Sequence, residues 1–307
     1  MTRIAMERAG EMEVFARVVD EGGFSAAARA LDLTPSAVSK LVARLEARLG
    51  SRLLHRTTRA LTLTDEGEAY YRAALPILRD LDDAEAAAAG GSVHGRLRIN
   101  ATVPFGHQHV VPAILSFRAL HPRIEIELAL SDAMVDLVAE RVDVAIRMGD
   151  LPDSSLMARR LGQSRRVVCA SPAYLAQRGV PLVPGDLAGH DCLTFSFRRA
   201  HPVWPFRRDG QEAATMVAGG LILNNGETMK QMALGGAGII RVGLFHVARD
   251  LAEGRLVPLL EDWNPGDLEQ IHAVYVGGGH VPRRVRAFID HLATELADDP
   301  VLHGRGL

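Results

Sequence analysis

Two cysteines in 307 residues, Cys169 and Cys192, stand in neither a CxxC nor a metal-type spacing. Their scarcity argues against a disulfide scaffold. Buried structural thiols are the plain reading, and a redox switch between the two is the alternative. No run of about eighteen apolar residues occurs, which excludes a membrane-spanning helix. Charges are scattered through Met1–Glu13 with no apolar core, so no secretory leader is expected and the cytoplasm is the expected compartment. The formal net charge is only −2; a uniformly basic nucleic-acid binder is excluded, and any such surface has to be local. A GxSxG elbow and a P-loop are also missing, and Gly235-Gly236-Ala237-Gly238 lacks the spacing of a dinucleotide cradle. His107 and His109 flank Gln108 with no Cys, Asp or His cluster beside them. Neither catalysis nor a metal or cofactor is therefore expected.

What is present fits two or three domains with real cores. A hydrophobic share of 48% with 23% charged residues is ordinary for a soluble globular chain. Within Pro35–Leu49, Val38, Leu41, Val42, Leu45 and Leu49 recur at steps of three and four, one stripe of a helix. Thr34 with Pro35 suits its N-cap and first position, and Gly50 its C-terminal cap. The opposite face carries Ser36, Lys40, Ala43 and Ala47, flanked by Ser39 and Arg44. Small and basic side chains on such a face can meet phosphates and reach base edges in a major groove. The local charge agrees: from Pro35 to Thr62 stand Lys40, Arg44, Arg48, Arg52, Arg56 and Arg59 against one acid, Glu46.

Glu11–Glu21 reads as a preceding helix with Phe15, Val18 and Val19 on one side. Ser25 is expected to cap a short helix, Ala26–Leu31, and Asp32-Leu33-Thr34 makes the turn of a helix-turn-helix. After Gly50, Arg52–Arg56 and Ala60–Leu63 read as a two-stranded wing with Arg56 and Arg59 at its tip. Beside a recognition helix, arginines there are expected on phosphate or in the minor groove. Thr64-Asp65-Glu66 opens a long helix with acids in its first turn. Its stripe of Tyr71, Leu75, Leu78 and Leu81 is too narrow for a core and suits pairing with a second copy of itself. Pro76 is expected to kink it, and Gly90–Gly95 reads as a linker.

From Arg96 onward strands and helices alternate. Strands are expected at Leu97–Ala101, Ile124–Leu130, Val142–Ile146, Arg166–Ala170, Leu193–Ser196, Gly238–Arg241 and Ile271–Val276. Helices are expected at Val110–Leu120, Met134–Glu140, Thr228–Leu234 and Phe245–Glu253, with a last one beginning at Pro282. That grammar implies an α/β domain with a largely parallel sheet. Ligands of such sheets sit beyond the carboxyl ends of the strands. The rule nominates Thr102, Val103 and Phe105; Ser131-Asp132; Arg147-Met148; and Phe195 with Asn224, Asn225 and Gly226. Ser131 also suits a helix cap, and Asn225-Gly226 a turn. Arg147 suits either a bidentate carboxylate contact or a salt bridge to Asp150 or Asp153.

Taken together, these residues resemble a known family. Phe15, Ser25-Ala26-Ala27-Ala28, Leu31, Thr34-Pro35-Ser36-Ala37-Val38-Ser39, Leu45-Glu46, Leu49-Gly50, Leu53, Arg56-Thr57-Thr58-Arg59, Leu61-Thr62-Leu63-Thr64 and Gly67 are similar to the N-terminal signature of LysR-type transcriptional regulators. Further on, Leu97-Arg98-Ile99, Asp136–Glu140, Asp143–Arg147, Asn224–Glu227, Gly238-Ile239 and Gly254–Val257 resemble that family's effector domain. The branch is the one related to regulators of organic-acid and aromatic metabolism. Two departures are Gly23, where many members carry serine, and Pro76 in the linker helix.

The resemblance implies a multi-domain α/β architecture: an N-terminal winged helix-turn-helix over 8–66, a linker and dimerisation helix over 67–94, and an effector-binding domain over 95–307. The last would have the two-lobed periplasmic-binding-protein fold of type 2, lobe I spanning about 95–164 and 268–300 and lobe II about 165–267. It implies double-stranded DNA as partner, met by Ser25, Thr34, Pro35, Ser36, Ser39, Lys40 and Arg44, with Arg56, Thr57 and Arg59 on the wing. It also implies a homodimer or homotetramer, contact with RNA polymerase, no membrane, and a small-molecule effector between the lobes. Two rivals are a plain small-molecule-binding protein and a redox-sensing regulator switching through Cys169 and Cys192.

Overall fold

The computed structural model describes residues 2–56, 61–88, 93–151, 156–196, 202–277 and 281–303. The chain forms two compact units, Met1–Ser92 and Val93–Leu307.

The first unit holds α1 (Thr2–Asp20), α2 (Phe24–Ala30), α3 (Pro35–Leu49), a hairpin of β1 (Leu54–Arg56) and β2 (Leu61–Leu63), and α4 (Asp65–Ala88). Its core is Phe15, Val18, Ala27, Ala28, Val38, Val42, Leu45 and Leu53. Two alanines on α2 allow close approach of α1 and α3, while the ring of Phe15 meets Tyr70 and Tyr71 edge-on at 5.7 and 6.2 Å. Helix α2 starts at Phe24 with Gly23 as its N-cap and no side-chain cap. The expected capping role of Ser25 is therefore wrong: Phe24 packs on the core and draws the helix start back, leaving Ser25 exposed on the first turn.

Strands β1 and β2 pair antiparallel from Leu54↔Leu63 to Arg56↔Leu61. Thr57 and Arg59, at the expected wing tip, lie outside the described residues. Thr64 joins wing to linker, its hydroxyl donating to Arg52 O at 2.7 Å and accepting from Gly67 N at 2.9 Å. A Cβ on Gly67 would stand 2.0 Å from the Leu53 carbonyl oxygen, so only glycine fits this crossing. Helix α4 runs unbroken through the exposed Pro76; Tyr71 and Ala74 are buried, whereas Ile77 and Leu81 are exposed in the single chain.

In the second unit, β3 (Gly95–Ala101) is flanked in parallel by β4 (Ile124–Leu130) and β5 (Val144–Met148). Between β3 and β4 run α5 (Val103–Phe105), a π-helical turn Gly106–Val110 and α6 (Val111–Leu120). Then come β6 (Leu156–Ala170), α7 (Pro172–Arg178), β7 (Thr194–Phe195), β8 (Val203–Arg208), β9 (Gln211–Met216), β10 (Ile222–Leu223), α8 (Gly226–Leu234), β11 (Ile240–Gly243), α9 (Leu244–Ala252), β12 (Val257–Leu259), β13 (Leu268–Val276) and α10 (Arg283–Leu296). The main sheet has the order β11-β6-β13-β5-β3-β4, with β12 also on β6.

Strand β6 pairs with β13 over Leu156–Arg165 and with β11 and β12 over Arg166–Ala170, so one strand serves two lobes. Each lobe has its own core. Leu97, Ile99, Phe117, Val144, Ile146 and Phe288 fill the first; Val167, Leu193, Met229, Ile240 and Val247 fill one face of the second. Because β6 and β13 connect the lobes in opposite directions, β13 lies antiparallel to both β5 and β6. The sheet is mixed, and the expectation of a largely parallel one is corrected.

Met134–Glu140 is also corrected: it is a turn, not a helix. The Asp136 carboxylate takes the amides of Val138 and Ala139 at 2.9 and 3.0 Å, and Arg141 at φ 56° ends the turn at once. A side chain that captures nearby amides competes with helix propagation. Helix α7 and the hairpin β8–β9, turned by Asp209-Gly210 at φ 51° and 79°, had no counterpart in the expected elements.

Candidate functional site

Helix α3 is built to present one face. Thr34 Oγ1 accepts from Ala37 N at 3.2 Å, Pro35 occupies the first turn, and Gly50 ends the helix at φ 70°. With Val38, Val42 and Leu45 inward, Thr34, Pro35, Ser36, Lys40, Ala43 and Arg44 are exposed and Ser39 is half-buried. The arginines are less free than their spacing suggests. Glu11 of α1, 4% exposed, faces Arg44 at 3.4 Å and Arg48 at 3.0 Å, so part of that basic charge fastens α3 to α1. Glu46 points to the wing, where its Oε1 accepts from Leu53 N and Leu54 N at 2.9 and 3.3 Å. Arg56 closes β1. Beyond it the expected Thr57 and Arg59 are not described.

In the second unit the carboxyl ends of β3, β4 and β5 face the β10–α8 turn. Ser131 Oγ accepts from Ala133 N at 3.2 Å, which makes it a turn cap. Thr102 Oγ1 lies 3.9 Å from Met148 Sδ. Across the seam, Asn225 Oδ1 caps α8 through Thr228 N at 2.8 Å while its Nδ2 donates to Asn224 Oδ1 at 3.0 Å. Phe195 is half-buried beside them, in register with Leu223. Two predicted residues are more buried than an open ligand wall would leave them. Phe105 is wholly buried in the first-lobe core, edge-on to Phe245 at 5.6 Å. Arg147 is 8% exposed, donating from Nη2 to Asn100 Oδ1 at 2.6 Å and from Nη1 to Ile146 O at 3.0 Å. Asn100 was not among the sequence candidates, although it stands on β3 directly beside β5.

Asp132 joins the two sides, as does Gln108, whose Nε2 donates to His246 O at 3.5 Å. The Asp132 Oδ1 accepts from Val103 N at 2.7 Å and its Oδ2 from Gly226 N at 3.1 Å. One helical turn along the seam lies a cavity of about 510 Å³ lined by Gln108, His109, Lys230, Gln231 and His246, and none of the predicted ligand residues lines it. Burial lowers the pKa of His109, opposed by Asp299 at 3.7 Å. Burial, then the charge of Lys230, takes His246 down to about 3. His109 lies against Phe105 at 4.5 Å between ring centroids, and no cluster of metal-type ligands occurs among the described residues.

Both halves of the chain match described families. Residues 10–68 match the bacterial regulatory helix-turn-helix proteins of the lysR family, and residues 90–297 match the LysR substrate binding domain. The chain is a LysR-type transcriptional regulator. The regulator is 38% identical over 293 residues to the HTH-type transcriptional regulator CrgA of Neisseria meningitidis serogroup C (strain 8013), a match covering 94% of this chain and 97% of that one. It is 37% identical over 305 residues to the HTH-type transcriptional regulator PtxR of Pseudomonas aeruginosa, covering 96% and 97%. The solved structure of CrgA superposes with a TM-score of 0.63 at 37% identity, over 94% of this regulator and 99% of that chain. The regulator therefore joins a DNA-binding helix-turn-helix to an effector-binding domain, and no described helix is long and apolar enough to cross a membrane.

The two thiols of the regulator are poor switches. Cys169 pairs in register with Ile240 and Cys192 with Ile239, consecutive residues whose side chains point to opposite faces. The cysteines lie in different cores, and burial pushes each thiol up to about 12. A thiolate is the reactive species, and neither site favours one.

Proposed function

We propose that the regulator binds a partly palindromic duplex in the cytoplasm as a homodimer or homotetramer, laying α3 of paired heads into successive major grooves. Pro35, Ser36, Ser39 and Lys40 approach bases and backbone, with Ser25, Thr34 and Arg44 on the same surface and Arg56, Thr57 and Arg59 serving the wing. A small organic or aromatic acid held near Thr102, Val103, Ser131, Arg147, Met148, Phe195, Asn224 and Asn225 shifts the lobes, and the shift alters DNA bending or contact with RNA polymerase.

The observation that carries this reading is the exposed face of α3, where Ser36, Lys40 and Ala43 stand together outward while Val38, Val42 and Leu45 are fully buried. The acid reading leans on Arg147, the cation at the end of β5. Selection from a random duplex library by the full chain tests the first half: an inverted repeat is expected, and a library left unenriched refutes it. A thermal-shift panel of small organic acids tests the second, because a ligand of the folded state raises its melting temperature.

A further inference from the structure

We propose that Asp132 is the latch that holds the two lobes of the effector domain together, a positioning residue for the switch. The inference rests on the reading of this seam as the effector cleft, and it concerns how that cleft is kept shut.

The carboxylate is anchored on its own lobe and reaches across to the other. Oδ1 is fixed by Val103 N at 2.7 Å, and Oδ2 takes Gly226 N, the first amide of α8, at 3.1 Å. Asn225 already commits its side chain to Thr228 and Asn224, so the Gly226 amide meets Asp132 alone among the described residues. Position 226 also has no room for a side chain. A Cβ there would lie 2.6 Å from His246 Nδ1 and 3.1 Å from Pro104 Cγ on the opposite lobe. Gly226 is buried with φ outside the left-handed region, so its glycine serves closeness and not a turn.

Leverage makes the position matter. The lobes share β6 and β13, and Asp132 follows β4, the outermost strand of the sheet. Three strand spacings separate β4 from β13, an arm of about 14 Å at about 4.8 Å each. An opening of about 10° about the shared strands then parts Oδ2 from Gly226 N by about 2.5 Å, enough to break the bond. An incoming carboxylate that takes the Gly226 amide displaces Asp132 and releases the latch, since both offer the same charged acceptor to one donor.

Hydrogen exchange resolved to single residues in the full-length protein, without any ligand, tests this. Asp132→Ala is expected to speed exchange about tenfold to a hundredfold at Gly226 and Val103, the worth of a hydrogen bond to a charged acceptor. Added formate, the probe chosen to refill the vacated carboxylate position, is expected to slow both again. Gly226→Ala is expected to speed exchange at position 226 while Val103, bonded within its own lobe, keeps its protection. Unchanged exchange at Gly226 in the Asp132→Ala protein overturns the latch, and so does acceleration at Val103 alone, which marks a purely local cap. If Asp132→Ala fails to fold, Asp132→Asn decides, because its single acceptor oxygen can protect only one of the two amides. A panel of acids that leaves the wild-type melt unmoved would refute the effector reading while leaving the exchange result standing.

Discussion

Glu46→Ala sets two physical expectations against each other. The residue is the one acid among six basic side chains between Pro35 and Thr62. If long-range charge ruled, removing it would tighten DNA binding, because a phosphate-facing surface loses a repulsive group. The structure gives the carboxylate a mooring role instead. Its Oε1 accepts from Leu53 N at 2.9 Å and from Leu54 N at 3.3 Å, which ties the first wing strand to α3. Each bond to a charged acceptor is worth about 1.5–3 kcal/mol, and two on one oxygen are not additive, so the loss is about 2–4 kcal/mol. In a head of 92 residues each kcal/mol moves the melting point about 4–8 °C, so a fall of about 10 °C or more is expected. Fluorescence anisotropy on a selected duplex at fixed salt should show weaker binding, with Glu46→Gln in between because it keeps an acceptor oxygen. Tighter binding by Glu46→Ala with an unchanged melt would refute the mooring and leave Glu46 a simple electrostatic brake.

Gly67→Ala places a Cβ 2.0 Å from the Leu53 carbonyl oxygen, and overpacking of this kind costs about 1–3 kcal/mol, readable as a lower melting point for the head. Arg147→Ala strips the partner of the buried Asn100 oxygen, 2.6 Å away. That should destabilise the effector domain by about 1–3 kcal/mol. It should also remove the response to any stabilising acid while DNA affinity without acid is kept; an unaltered dose response would take Arg147 out of the site. His246 falls from 6.5 to about 3, chiefly through burial. The folded protein keeps it neutral while the unfolded chain binds a proton below 6.5, so its contribution to stability is complete above that pH and is lost as pH falls towards 3. Thermal melts across that range should decline for the wild type and decline less steeply for His246→Phe.

Helix α3 is readable from sequence because every local signal agrees on it: Thr34 and Pro35 open it, Gly50 closes it, and Val38, Val42 and Leu45 repeat at its period. Consistency across levels of this kind is what makes an element legible. Strands β3, β4 and β5 are readable for the same reason. Their partners were harder to see, since β13 and β6 cross between lobes and no local residue marks an antiparallel neighbour. Met134–Glu140 misleads because Leu137 alone carries its burial and the Asp136 carboxylate captures the amides. The strand-end rule nominates loops that meet at the seam but cannot tell a lining side chain from a core one. Phe105 has the chemistry of a ligand wall and the position of a core residue. Asp132 lies inside the nominated Ser131-Asp132 pair, yet its importance comes from Gly226, 94 positions away. Long-range pairing of that kind leaves no trace in spacing.

The central claim is that the outward face of α3 meets DNA phosphates and bases. A salt titration of the full-length protein on its selected duplex, with Lys40→Ala alongside, tests it most directly. Each phosphate contact releases counterions and contributes about 0.9 to the slope of log affinity against log salt. A steep negative slope for the wild type is predicted, reduced by about one in the variant, with binding weakened at every salt concentration. Equal affinities and equal slopes for the two proteins would contradict the account.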